Sequence, residues 1–144
     1  HLQPVLDSAI LARELGMHIE TVTLVIPGLN DSMEEQEALI RWVIEHLGPD
    51  TPMHFSAFHP DYQMTDRGGT PITTLEKIYE RAKVLGLRYP YLGNVYNHRY
   101  ENTYCPACGA TIIERRGFSS QLIGLEGTQC RNCGEKIGVV THVS

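Results

Sequence analysis

No cysteine occurs before position 105; the chain has four, all confined to the stretch from Cys105 to Cys133. That distribution excludes a disulfide framework spread through the fold and fits a reducing compartment. Basic charge is also scarce. The 144 residues carry 12 Lys and Arg against 17 Asp and Glu, for a formal charge of -5 and a pI near 5.8. A nucleic-acid partner held by bulk charge calls for the opposite balance. No apolar run approaches the roughly 20 residues that span a bilayer, and the opening HLQPVLDSAI lacks the charged and apolar blocks of a signal peptide. No phosphate loop, nucleophile–base pair or carboxylate pair stands out. The expectation is a cytoplasmic protein with neither a nucleic-acid nor a membrane partner.

What is present is an alternation of helical and strand patterns. Leu2, Val5, Leu6, Ala9, Ile10 and Leu15 recur on one helical face from the first residues, and Gly16 stops the helix. A domain rarely begins inside an amphipathic helix, so the chain is expected to be the C-terminal part of a longer protein. His18 to Ile26 is rich in β-branched residues and reads as a strand ended by Pro27 and Gly28. Ser32 and Glu35 form a capping box opening a helix that turns Ala38, Leu39, Trp42, Val43 and Leu47 inward. Met53 to Phe58 is a second strand, with Met53, Phe55 and Ala57 on one face.

Residues 59–69, HPDYQMTDRGG, have no periodicity and read as a loop long enough to be functional. A third helix follows, with Pro71 in its first turn and Thr73 with Glu76 as a second capping box. Leu87 to Leu92 is a third strand, moved toward an edge by Pro90. This order predicts parallel strands joined by right-handed crossovers, an α/β unit over residues 1–93. Three strands make an incomplete sheet, the second reason to expect upstream residues. Residues 94–102 read as a linker, and 103–144 as a separate module.

Cys105-Pro106-Ala107-Cys108-Gly109 and Cys130-Arg131-Asn132-Cys133-Gly134 each place two thiolates on one tight turn. Two such turns complete a tetrahedron of sulfurs, and residues 109–129 between them leave room for the hairpin of a zinc ribbon. ATIIERRGF supplies one strand and KIGVVTHV another. Zinc is the expected ion, with a rubredoxin-like iron using the same geometry. Four cysteines leave no open coordination position, so a structural metal is expected rather than a catalytic one. Thioredoxin-like redox chemistry does not fit either, because each pair precedes a glycine on a knuckle rather than opening a helix.

In parallel α/β folds ligands bind at the C-terminal ends of strands, which here read VIPGLND, FHPDY and YLGN. Gly28 and Gly93 allow close backbone approach, and Asn30, Asp31, His59, Asp61, Tyr62 and Asn94 offer donors and acceptors. Asn30 and Asp31 serve equally well to start the next helix. His54, within a strand, is expected to be a packing partner, and His59, beside Pro60, to touch a ligand.

Taken in order, LVIPGLNDS, HFSAFHPDYQMTD and YLGNVYNHRYENTYCPACG resemble the C-terminal half of the radical S-adenosylmethionine (SAM) enzymes of the AmmeMemoRadiSam system, relatives of pyruvate formate-lyase activating enzyme. The resemblance covers essentially the whole chain. It implies the C-terminal part of a partial (β/α) barrel of TIM type over residues 1–93, followed by a cysteine-rich module. It also implies a [4Fe-4S] cluster that reductively cleaves SAM to a 5'-deoxyadenosyl radical for hydrogen abstraction. Carried over by position, Val25, Ile26 and Pro27 would pack near the adenosine, and His59 near the methionine portion.

Two departures stand out: the arginine of the VIPG strand falls near Val22, and the CxxxCxxC cluster motif is absent. The cluster would therefore lie on upstream residues, and this segment would form one wall of the SAM and substrate cavity without generating a radical by itself. The implied partners are a protein substrate or other components of the AmmeMemoRadiSam system. A reading from a different class is a zinc-ribbon adaptor that binds a protein partner, with the α/β part as scaffold. Nucleic-acid binding by the module is disfavoured, since Arg115, Arg116, Arg131 and Lys136 face Glu114, Glu126 and Glu135.

Overall fold

The structure, a computed structural model, describes residues 2–96 and 98–138. The chain divides into two compact units, His1–Val95 and Tyr96–Ser144.

The first unit runs α1 (Gln3–Glu14), β1 (Thr21–Val25), α2 (Met33–His46), β2 (Met53–Ala57), α3 (Ile72–Val84) and β3 (Pro90–Gly93). Its three strands are parallel and lie in the order β1-β2-β3, with Thr21 opposite Met53 and Met53 opposite Pro90. Pro90 is tolerated because it opens its strand, where its missing N–H breaks no interior ladder. Right-handed crossovers between strands laid down in one direction place both connecting helices on the same face. A bidentate ion pair ties those helices together: Arg81 Nε donates to Glu37 Oε1 at 2.6 Å and Nη2 to Oε2 at 3.1 Å.

The core lies beneath these helices. Val25, Met53, Phe55 and Leu92 from the strands are buried with Ile40, Val43 and Leu47 of the second helical region and Leu75, Ile78 and Ala82 of the third. On β2, Met53 and Phe55 are buried while His54 and Ser56 are only partly covered, as the alternation predicts. In the strand register Val22 aligns with His54 and Tyr91, and Leu24 with Ser56 and Gly93, so these residues share the sheet face opposite α2 and α3.

Several local expectations need correction. The first helix buries none of its residues; Leu2, Val5 and Leu15 are exposed, because among the described residues no strand lies beneath its apolar face. That face instead borders an open groove of about 690 Å³, shared with β1 and with Leu39 and Trp42 of α2. The buried stripe of α2 is rotated from the expected one. It runs through Gln36, Ile40 and Val43 to Leu47, leaving Ala38 exposed. Gln36 is drawn inward because its amide donates to the Asn30 carbonyl at 2.6 Å.

The Ser32 cap forms, with Glu35 N donating to Ser32 Oγ at 3.3 Å, while the Glu35 carboxylate accepts from the Ser32 hydroxyl at 2.7 Å. No second box forms. The N-cap of α3 is Pro71, which has no side-chain cap bond, and Thr73 already lies inside the helix.

The second unit contains a short 3-10 turn, His98–Tyr100, and an antiparallel sheet in the order β4-β5-β6: Thr103–Tyr104, Thr111–Arg116 and Ser119–Leu122. A two-stranded ribbon of β7 (Leu125–Glu126) and β8 (Gln129–Cys130) completes it. The expected strand ATIIERRGF is β5. Of the expected strand KIGVVTHV, Lys136 bridges to Gln129, and residues 139–144 lie outside the described residues. The expected linker mostly belongs to this unit: Tyr100 is buried, and the Asn102 side chain accepts from Arg115 N at 2.7 Å. The observed class is thus mixed α/β with small sheets and a four-cysteine cluster.

Candidate metal centre and strand ends

The two cysteine turns are built alike. In the first, Cys105 N donates to Ala110 O at 2.8 Å and Gly109 N to Cys105 O at 2.9 Å; in the second, Cys130 N donates to Glu135 O and Gly134 N to Cys130 O, both at 2.8 Å. Each turn closes on a glycine with a left-handed φ, +74° at Gly109 and +76° at Gly134, which a side chain would strain. Strands β4 and β5 present one knuckle, and the β7–β8 ribbon the other.

All four sulfurs lie within 4.8 Å of one another, with Cys105–Cys133 at 3.6 Å and Cys108–Cys130 at 3.7 Å. The cysteines are free, and these separations are far beyond a disulfide bond of about 2.05 Å. A tetrahedral ion with metal–sulfur bonds of about 2.3 Å sets sulfurs about 3.8 Å apart, so the cage fits a Zn-sized ion. Cys105 and Cys130 are buried and Cys108 and Cys133 exposed, so each knuckle contributes one sulfur of each kind.

The electrostatics of the bare sulfurs are unequal. Cys108 is lowered to about 6, chiefly because the Asn132 amide donates to its sulfur at 3.3 Å. At Cys133 a backbone N–H at Glu135 pulls downward, but the bond to Cys108, burial and the other thiols prevail and raise it to about 12. Four anionic sulfurs so close together repel one another, and a divalent cation at their centre removes that conflict.

At the sheet's C-terminal edge most of the expected ligand donors are occupied by backbone. Asn30 Oδ1 accepts from Ile26 N at 2.7 Å and its Nδ2 donates to Leu24 O at 3.0 Å; Asp31 accepts from Gly28 N at 2.8 Å. Both residues therefore shape the turn into α2. Asn94 Nδ2 donates to Ala57 O at 3.1 Å, and Asp61 Oδ1 accepts from Tyr62 N at 2.7 Å. Gly93 serves its neighbour strand: a Cβ there would sit 2.6 Å from Ser56 Oγ.

Of the residues that the resemblance places at SAM, Val25 is fully buried in the core, Ile26 and Pro27 are half-buried, and His59 is exposed. His54 is a satisfied packing partner, stacked on Tyr91 at 5.0 Å and 2.9 Å from Glu20 Oε2. Burial pushes the Glu20 carboxyl upward, but hydrogen bonds from His18 and His54 outweigh it and leave the group below its usual range.

Three further side chains, two at the strand ends and one between the cysteines, lie outside the sequence expectations. The Thr70 hydroxyl donates to Val25 O and accepts from Phe58 N, clamping two strand ends, while Arg67 Nη1 donates to Pro27 O at 3.1 Å. Their partners are distant in sequence, so periodicity carries no trace of them. Asn132 leaves a signal, an amide donor between two cysteines, that spacing arguments pass over.

One relative, an uncharacterized protein of Methanocaldococcus jannaschii designated MJ0808, is 48% identical over 141 residues. The match covers 96% of this chain and 42% of that protein, so the chain spans less than half of the relative's length. No family model matches, and no solved structure matches.

Proposed function

We propose that this chain is the C-terminal part of a radical SAM enzyme of the activating type. Its β1–β3 sheet would form one wall of a barrel-enclosed SAM and substrate cavity, and its four-cysteine module would hold a structural zinc ion. The supporting observation is the sheet's winding. Three parallel strands follow in sequence order with both crossover helices on one face, an arrangement that a (β/α) barrel wall requires and that one half of a doubly wound sheet shares. The opposite face carries Val22, Leu24, His54, Ser56, Tyr91 and Gly93; Val22 is 71% exposed, while Tyr91 is buried. A mixed face of this kind, with its β1 side chains left open, fits the inside of a barrel whose other strands are supplied by additional polypeptide.

In this reading the cysteine cage takes no part in SAM chemistry, since its sulfurs are mutually committed and CxxxCxxC is absent. The cluster, on other residues, would supply the electron that cleaves SAM; the residues here would orient SAM through Ile26, Pro27 and His59. Anaerobic reconstitution of the longer polypeptide with iron and sulfide should give charge-transfer absorbance and release 5'-deoxyadenosine from SAM. Reconstituted protein that binds a cluster but releases none would refute the assignment. Metal analysis of the 144-residue chain should return about one zinc and no labile sulfide.

A specific observation favours a second reading, the protein-interaction adaptor. Phe118, at the turn between β5 and β6, is fully exposed, and every residue of β6 is exposed beside it. An edge strand with an apolar tip is a recognised surface for adding a partner's strand. Pull-down with the Phe118→Ser variant separates this reading from the first, since SAM cleavage by the parent would not depend on Phe118.

A further inference from the structure

The two knuckles share a backbone but differ in one side chain. In the second, the residue before the closing cysteine is Asn132; its counterpart in the first is Ala107, which has no donor. Asn132 Nδ2 reaches 3.3 Å from Cys108 Sγ, a ligand of the opposite knuckle, while its own knuckle supplies Cys130 and Cys133. Cys108 is one of the two exposed sulfurs, so it is open to water, electrophiles and competing chelators. A thiolate bound to a metal keeps lone pairs, and an N–H directed at one withdraws charge from the sulfur.

We propose that Asn132 is a positioning residue of the metal centre: its amide bonds across the cage to Cys108 and lowers that sulfur's donor strength and reactivity toward electrophiles. The centre is thereby made asymmetric, with two buried sulfurs, one exposed sulfur held by an amide, and Cys133 exposed without that amide. Groups beyond the ligands characteristically change metal affinity by about 10- to 100-fold when removed, and this bond lies at that level of the site. The inference depends only on the four-cysteine cage and is independent of any SAM chemistry.

The test uses the full 144-residue chain loaded with Co²⁺, whose thiolate-to-cobalt charge-transfer band reports sulfur donor strength. Asn132→Ala should shift that band to longer wavelength and speed iodoacetamide modification of Cys108 several-fold; it should also weaken Co²⁺ binding about 10-fold, because loss of the bond that holds Cys108 in place across the cage outweighs its stronger donation. Asn132→Asp keeps the size, removes the donor and adds a negative charge, so its effects should be larger. Asn132→Gln keeps an amide and should restore the band toward its original position. Because Asn132 is exposed, none of these changes disturbs a packed core. An unshifted band with unchanged Cys108 modification in both the Ala and Asp variants would overturn the proposal. So would weaker binding with no band shift, since that is the mark of a merely structural residue.

Discussion

Removing the metal should unfold the second unit. Among the described residues its buried apolar side chains outside the cage are few: Tyr100, Ile112, Ile113, Leu125 and Ile137, each less than 9% exposed. At about 2 kcal/mol for each buried side chain, these five contribute on the order of 10 kcal/mol before the cost of ordering the chain. A structural zinc site in a small domain contributes about 10–16 kcal/mol. An ion in the cage would therefore supply as much as these five side chains together, while typical net stabilities are only about 5–15 kcal/mol. Without it, burial of these side chains alone is not expected to offset the cost of ordering the module. The assay is amide hydrogen exchange across residues 103–138, before and after chelation under reducing conditions, with elemental analysis confirming that the metal is gone. Protection in β4 and β5 should collapse, with amides of β2 and α3 as the reference because their core is separate. Cys130→Ser should reproduce the collapse without a chelator. Persistent protection of Ile112 and Ile113 in metal-free protein would refute the reasoning and make the cage an accessory to a self-sufficient hairpin.

Two further predictions concern the first unit. Val22→Lys should change the stability of this chain by no more than about 0.5 kcal/mol, as expected for an exposed position, whereas Phe55→Ala should cost about 3–5 kcal/mol. Equal losses in chemical denaturation would mean that the two sheet faces have been assigned the wrong way round. The Glu37 carboxyl is held below its usual value of 4.5, first by its hydrogen bond from Arg81. Its folded pKa is depressed, so its stabilising contribution is present above pH 4.5 and fades as pH falls through the lower folded value. The stability difference between the native chain and Glu37→Gln should shrink on acidification from pH 5 downward; a constant difference in urea titrations across that range would contradict it.

Legibility follows the range of the interaction. The knuckles can be read because every feature they need, thiolates two apart and a glycine at left-handed φ, lies within five residues. The same holds for the Ser32 cap and for the alternation of Met53, His54, Phe55 and Ser56. The Thr73 box fails because the same capping letters recur wherever a helix begins near a threonine. Here Thr70 is held by Val25 O and Phe58 N, and the helix starts after Pro71. The inward face of α2 departs from expectation for a similar reason. Apolarity alone ranks Leu39 and Trp42 above Gln36, yet the Asn30 carbonyl binds the Gln36 amide and turns the helix.

The donors at the strand ends show why a list of polar residues at the right place does not make a binding site. Asn30, Asp31, Thr70 and Asn94 all lie where a ligand would, and each is held to main-chain atoms at the ends of the strands. Such a rim is tied to the sheet by main-chain hydrogen bonds, the kind of support that a site requires of the residues that flank it. It leaves the exposed His59, the half-buried Ile26 and Pro27, and the open sheet face as the surfaces still able to contact a ligand. In the proposed barrel reading, a cavity bounded on one side by this sheet would need a second wall. The exposed Val22, the uncovered face of α1 and the groove between them are the places where further strands and helices would close it.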